Sequence, residues 1–485
     1  MIFNSIEFIY FFIIVFFGYF ALPPKTPRNL FLLAASYFFY MWWRPDYAIL
    51  MFTTTFVAYL TALGVEYAQT IWKRRFFLGA SLVVNLGILF IFKYYLFTRA
   101  SLIYFREIFP SFPQGLDLPY LDVLLPVGIS FYTFQALSYN IDVYWRKVPV
   151  ERNFFTFALY VAFFPPLIAG PIERATNLLP QFKEKRDFQY ERARDGLLLM
   201  LWGFFKKVVI ADRLAVYVNV VYNNPEGNYG LPIWIATFFF TFQIYCDFSG
   251  YTDIARGSAR MLGFDIMENF RMPYIACSFH DFWKRWHISL TTWFRDYLYI
   301  PLGGNRVSRT RWLTNIFLVF LISGLWHGAN WTFIVWGAIH GGLQVCEILT
   351  KKSRDRFYAI PLVQKLAPLS MVIHVLFVFF MVSICWLFFR ANTLADALVL
   401  IKHALDFRGM QFYVDGGLST LQILFGFIFI AFLYAAELFN NKYSFRELLK
   451  KVPLPFRWTF YVGVIFFILL MGVYDELATF IYFQF

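Results

Sequence analysis

Apolar runs long enough to cross a bilayer recur along nearly the whole chain, and they constrain the fold more than any other feature. A hydrocarbon core about 30 Å thick needs roughly 20 consecutive apolar residues in helical form. Runs of that order cover 8–22, 29–43, 48–68, 77–97, 124–145, 196–220 and 231–248, and return at 371–389, 417–438 and 457–480. Of 485 residues, 60% are hydrophobic and only 15% charged. A soluble core has no room for so much apolar surface in pieces of this length. The pattern predicts an all-α polytopic membrane protein with roughly 11–13 transmembrane or membrane-embedded helices. The first run lacks a basic leader and a small-residue cleavage site, so it reads as a membrane helix and not as a removed signal.

Net charge is +13, from 43 Lys and Arg against 30 Asp and Glu. The basic residues gather in short breaks: "KTPR" (25–28), "KRR" (73–75) and "KKSRDR" (351–356). Loops facing anionic lipid account for them, so the bilayer is the expected partner. No stretch resembles a nucleic-acid module, and no nucleic-acid partner is expected. Cysteines 246, 277, 346 and 385 have no metal-ligand spacing and read as mostly membrane-buried free thiols.

The breaks between runs carry information. Arg44, Pro45 and Asp46 follow "YMWW", as at an interface with an aromatic belt. Residues 104–120 read as a polar loop, and Pro126 and Gly128 interrupt 124–145. Pro165, Pro166 and Pro171 exclude one straight helix over 154–172, and broken backbone at membrane depth needs protein or a cavity around it. The charged stretch 181–195 reads as a cytoplasmic loop or an interfacial helix. Residues 250–311 are the least lipid-like of the centre, and glycines in 312–346 suggest two short or re-entrant pieces.

Chemistry concentrates in three stretches. "HDFWKRWHISLTTWFRDYLYIPLGGNR" (280–306) is too charged for an ordinary lipid-facing span. On a continuous helix of about 100° per residue with His287 at the origin, His280, Lys284, Thr291 and Arg295 fall at about 20–80°. Trp283, Trp286, Leu290, Trp293, Phe294 and Tyr297 occupy about 240–340° on the same wheel. Two readings compete: an amphipathic helix lying on the membrane surface, or a helix lining an internal polar cavity. In "YCDFSGYTDIARG" (245–257), Asp247 and Asp253 need partners, and Arg256 and Arg260 are available for caps or ion pairs. In "GLWHGANW" (324–331), His327 sits between Trp326 and glycines. It is either a core imidazole bonded to a carbonyl or a functional group. At membrane depth the second reading has the physical advantage, because a neutral imidazole in low dielectric is a good proton acceptor. His340 serves or supports. His280 and His287 lack adjacent-turn metal spacing, and no metal site is expected.

Those strings, with "ENFRMPY" (268–274) and "RNLFLLAASYFFYMWW" (28–43), resemble the membrane-bound O-acyltransferase family, in its bacterial polysaccharide-acetylating branch. The likeness runs to about residue 346, and the remainder is less diagnostic. It implies a ring of tilted helices around a central tunnel, as a single membrane domain 1–485 with N-terminal helices 1–122, a catalytic core 123–350 and C-terminal helices 351–485. It implies that His327 and His287 are the catalytic pair. Asp247, Ser249, Asp253, Asn269, Trp283, Lys284, Arg285, Thr291, Arg295, Trp326, Asn330 and His340 are then candidates for the donor or acceptor channel.

The activity implied is transfer of acetyl from cytoplasmic acetyl-CoA, a donor substrate with no bound cofactor, to an acceptor on the outer side of a bacterial cytoplasmic membrane. A periplasmic or extracellular acetyltransferase would be the partner, and a polysaccharide or its carrier the final acceptor. Alternatives are D-alanyl transfer from a carrier protein toward teichoic acid, acetylation of peptidoglycan, or transport of a lipid-linked saccharide. A scaffold would leave the histidine and tryptophan clusters without purpose.

Overall fold

The computed structural model describes residues 1–109, 118–406, 408, 412, 414, 416–443, 445–474 and 480–481. Among the described residues every regular element is a helix. In α1 (Ile6–Ala21) the Ser5 hydroxyl accepts the Phe8 N–H at 3.2 Å, relieving one orphan donor of the first turn. Pro27 opens α2 (Thr26–Met41), and the Arg44–Pro45–Asp46 break precedes α3 (Ala48–Tyr67). Thr70 caps α4 (Ile71–Leu89), which runs through a π-helical turn into α5 (Tyr95–Ile108). Helix therefore continues into the expected 104–120 loop, of which 110–117 lie outside the described residues. α6 (Ile129–Tyr144) starts after Gly128, whose φ of +75° and 2.8 Å approach of a would-be Cβ to the Leu167 carbonyl require glycine.

The proline stretch breaks as its residues dictate. Asn153 caps α7 (Phe154–Ala162), α8 (Phe164–Leu167) holds Pro165 and Pro166, and α9 (Ala175–Lys183) follows a non-helical 171–174. α10 (Tyr190–Phe204) passes through a π segment, Phe205–Ala211, into α11 (Asp212–Tyr222). Next come α12 (Leu231–Met261), the short α13 (Phe279–Arg285) and α14 (Ile288–Phe294), then α15 (Arg309–His327) and α16 (Trp331–Tyr358). The chain ends with α17 (Pro361–Lys365), α18 (Ala367–Arg390), α19 (Leu394–Ala404), α20 (Thr420–Tyr443), α21 (Phe445–Lys451) and α22 (Leu454–Met471).

Among the described residues seven helical stretches are long and apolar enough to span a bilayer: Pro45–Tyr67, Ile71–Ile108, Leu231–Met261, Trp331–Tyr358, Ala367–Arg390, Thr420–Tyr443 and Leu454–Met471. The protein is an all-helical, multi-pass membrane protein. Outward faces are apolar, with Phe456 68% and Leu470 77% exposed on α22. Cys246 and Cys385 are buried thiols, Cys277 is half-buried and Cys346 is exposed.

Two local expectations need correction. Residues 312–346 belong to two long helices, α15 of 19 residues and α16 of 28, and not to short re-entrant pieces. Their glycines form a seam: a Cβ on Gly324 would meet the Phe333 carbonyl at 2.2 Å, and one on Gly337 the Phe320 carbonyl at 2.4 Å. Without a hydrophobic drive between helices in lipid, such close backbone approach is what holds a pair together. The second correction concerns 280–296. This is not one helix but two, α13 and α14, broken at Trp286 and His287.

The chain forms two compact units. The first comprises Met1–Ala193, Ser258–Met267 and Gly328–Asn330, with phenylalanines such as Phe8, Phe11, Phe39 and Phe164 packed together. In it the Arg28 guanidinium donates to the Leu22 carbonyl at 2.9 Å and also to the Arg186 carbonyl. The second comprises Arg194–Gly257, Glu268–His327 and Trp331–Phe485, with an aromatic core that includes Trp286, Trp336 and Trp386. Gly203 and Gly250 bring α10 and α12 together there, each leaving under 3 Å to the other's carbonyl for a Cβ.

Candidate functional site

His287 and His327 come together in the second unit, with ring centroids 6.2 Å apart. His327 is the last residue of α15 and 2% exposed, and Trp326, Trp336 and Phe389 meet its ring edge-to-face at 5.1, 5.0 and 5.6 Å. His287 is 0% exposed and caps α14 in the left-handed conformation, φ +43°. That backbone is strained for a residue with a Cβ, and it persists only where surroundings over-determine it. Asn269 supplies that constraint: its backbone carbonyl accepts the Ile288 N–H at 3.0 Å and its side-chain Oδ1 the Ser289 N–H at 3.1 Å. The Arg271 N–H adds a bond of 3.0 Å to the Arg285 carbonyl. Phe248 from α12 meets the His287 ring edge-on at 4.7 Å, and Trp326 lies at 6.0 Å.

Trp336 joins this pair to a third imidazole. Its ring lies 5.0 Å from His327 and 4.8 Å from His340, which is 0% exposed. Trp283 and Phe282 complete the wall around His340 at 5.0 and 6.3 Å. Among the described residues neither ring nitrogen of His340 has a hydrogen-bond partner.

The carboxylates make a separate network. Lys207 Nζ lies 2.7 Å from both Asp212 and Asp247, and Asp247 also accepts the Ile481 N–H at 2.7 Å. Lys206 Nζ donates to Ser249 at 2.9 Å and to Asp253 at 2.6 Å. Arg256 pairs with Asp253 at 3.5 Å as expected, whereas Asp247 takes Lys207 and not an arginine. Lys206, Lys207 and Asp212 escaped the sequence reading, although "FKK" inside the apolar run 196–220 was a usable signal: ionisable residues there require partners.

The cationic stripe of the wheel does not gather at His287. Lys284 and Arg295 are exposed, Arg295 pairs with Asp296 at 2.8 Å, and Arg285 pairs with Asp281 at 2.9 Å. The Thr291 hydroxyl donates to the Trp286 carbonyl at 3.2 Å. The helix break explains this, because it removes the phase that joined these residues on a wheel. At His280, burial and then the neighbouring Lys284 charge lower the imidazole pKa, against the pull of Glu347 and Asp281. Asn330 belongs to the link 328–330, within the first unit. Among the described residues no group of three or more His, Cys, Asp or Glu side chains could hold a metal ion.

The sequence pattern defining the membrane-bound O-acyltransferases matches residues 148–390, which enclose His287, His327 and His340 and the lysines with their carboxylates. Similarity to curated proteins covers more of the chain. The protein named "Probable alginate O-acetylase" in Pseudomonas aeruginosa is 40% identical over 93% of this chain and 84% of its own length. The chain belongs to the membrane-bound O-acyltransferase family. As a member it is an acyltransferase, embedded in a membrane through several spans. The peptidoglycan O-acetyltransferase of Helicobacter pylori is 35% identical over 85% of this chain and 81% of that protein. The teichoic acid D-alanyltransferase of Bacillus subtilis is 27% identical over 56% of this chain and 71% of that protein.

Proposed function

We propose that this O-acyltransferase moves acetyl from cytoplasmic acetyl-CoA, through a tunnel in a single membrane domain, to an acceptor on the outer side of a bacterial cytoplasmic membrane. The product serves acetylation of a cell-surface polysaccharide, with a periplasmic or extracellular transferase as partner. The observation that carries the reading is the buried imidazole pair, His287 and His327, at 6.2 Å. The names of the Pseudomonas and Helicobacter relatives support an acetyl group and a glycan acceptor. The teichoic acid D-alanyltransferase matches a smaller share of the chain, which makes D-alanyl transfer the second reading.

In the proposed step the acceptor hydroxyl attacks the thioester carbonyl while His327 takes its proton. The C–S bond breaks, the proton passes to the departing thiolate, and the acetyl group ends as an oxygen ester. General-base catalysis of this kind contributes about 10²–10⁴-fold. His287, fixed on its helix break, orients the acceptor or steadies the oxyanion. Trp283, Trp326 and His340 wall the site, and Asn269 holds His287 in place. The aromatic surround excludes water that would hydrolyse the donor. No serine or cysteine stands out as a nucleophile, so transfer is direct.

Single-turnover transfer of radiolabelled acetyl from acetyl-CoA, by purified protein in nanodiscs with the outer-side acceptor supplied, tests this. Wild type is compared with His327→Ala and His287→Ala after thermal unfolding confirms that all are folded. The expected result is a loss of about 10²-fold or more in His327→Ala. Full activity in both variants would sink the assignment. Transfer only from a D-alanyl carrier protein would favour the second reading.

A further inference from the structure

A pocket of about 580 Å³ opens where α15 begins and α16 ends, lined by Arg309, Trp312, Lys351, Lys352 and Arg356 with Ile348 and Leu349 among its apolar wall. Asp355 is the one carboxylate in the lining, against four cations. Among the described residues none of those four cations makes an ion pair or a side-chain hydrogen bond. Some exposed arginines elsewhere pair with carboxylates, as Arg408 does with Asp406 and Arg295 with Asp296. The indole of Trp312 is fixed, its Nε1 donating to the Tyr299 hydroxyl at 2.8 Å.

We infer that this pocket is a binding site for the phosphate headgroup of an anionic phospholipid. Helix α16 forms one of the bilayer-length apolar stretches, Trp331–Tyr358, and the cations cluster over its last turns, at the level where a span meets headgroups. Ile348 and Leu349 continue the apolar surface of that helix, so an acyl chain lies along them while the phosphate meets the guanidinium and ammonium groups. A soluble nucleotide would leave this apolar wall, with Leu349 47% exposed, uncovered. The site is also remote from the histidine pair. Arg309 and His327 are opposite ends of α15, and at 1.5 Å per residue about 27 Å separate them along its axis. The bound anion is therefore not the reacting group, and the site goes beyond the acetyl-transfer reading.

The test is a native mass spectrometry titration of the full-length protein in detergent with dioctanoyl phosphatidylglycerol. Dioctanoyl phosphatidylcholine and adenosine 3′,5′-bisphosphate serve as comparison ligands. One saturable phosphatidylglycerol, outcompeting phosphatidylcholine and unaffected by the nucleotide, supports the inference. Each basic side chain near an anionic headgroup is worth about fivefold in binding. Arg309→Gln, Lys352→Gln and Arg356→Gln combined should therefore weaken binding on the order of a hundredfold. Should the triple variant not fold, Lys352→Gln alone should weaken it by about fivefold. Equal binding of phosphatidylcholine, unchanged affinity in the folded variants, or displacement of the lipid by the nucleotide would each overturn it.

Discussion

At His287 two properties of one residue can be separated by substitution. The imidazole is what the proposed chemistry uses, and the φ of +43° is what the break between α13 and α14 uses. Alanine and glycine both remove the ring and leave similar cavities beside Phe248. Only alanine keeps the left-handed penalty, about 1–2 kcal/mol for a residue with a Cβ. His287→Gly should therefore unfold at higher temperature than His287→Ala, by about 1 kcal/mol in stability, while both lose the proposed acetyl transfer. Equal stability, measured by thermal unfolding in the same detergent, would mean that the break is not strained. The histidines were legible in sequence because an ionisable ring inside an apolar run needs a reason. The strain was not, because a wheel presumes continuous helix through His287. Nor was the role of Asn269: its backbone and side-chain acceptors serve N–H groups about twenty positions away, and no local pattern encodes that.

Helices α15 and α16 show how the same residue type carries opposite meanings. Glycines in 312–346 read as interruptions, since glycine weakens an isolated helix by about 1 kcal/mol. In the folded pair Gly324 and Gly337 are contact points, and a Cβ at Gly324 would sit 2.2 Å from a backbone oxygen that cannot swing aside. Periodicity reports where a helix is weak, and only the neighbouring helix reveals why weakness is tolerated. Gly324→Ala should destabilise the pair by about 1–3 kcal/mol, as overpacking does. Because His327 ends α15, the proposed acetyl transfer should fall with it. Gly342→Ala on α16, with open space around its Cβ, should be neutral or stabilising by up to about 1 kcal/mol. Paired denaturation curves check both, and equal gains would show that helix propensity, not the seam, governs these positions. The proline break at 154–172 was legible for a different reason: a ring without an N–H stops a helix in any context.

Across the whole molecule, an apolar exterior encloses buried charge. The exterior was legible from composition and run length, because a bilayer imposes one requirement on every outward residue. The charged interior was only half legible: Asp247 and Asp253 announced a need for partners, and Arg256 on the same helix meets Asp253, but the lysines came from another element. Lys207 pairs with Asp212 and Asp247 at once, tying the π segment before α11 to α12, and Asp247 holds the backbone of Ile481 as well. Removing one member of such a buried group leaves the others uncompensated, at a cost of about 3–5 kcal/mol, whereas replacing all of them with neutral groups of similar shape is often tolerated. Lys207→Met should therefore lose about 3–5 kcal/mol of stability and most of the folded yield. Adding Asp212→Asn and Asp247→Asn to it should recover much of that loss. Size-exclusion recovery and thermal unfolding of the single and triple variants distinguish the cases. If the triple variant is no better than Lys207→Met, the charges act in transfer or in helix register and not as a mutually compensating buried group. If it recovers stability but not the proposed acetyl transfer, the network holds the interior together and also sets the field around the histidine pair.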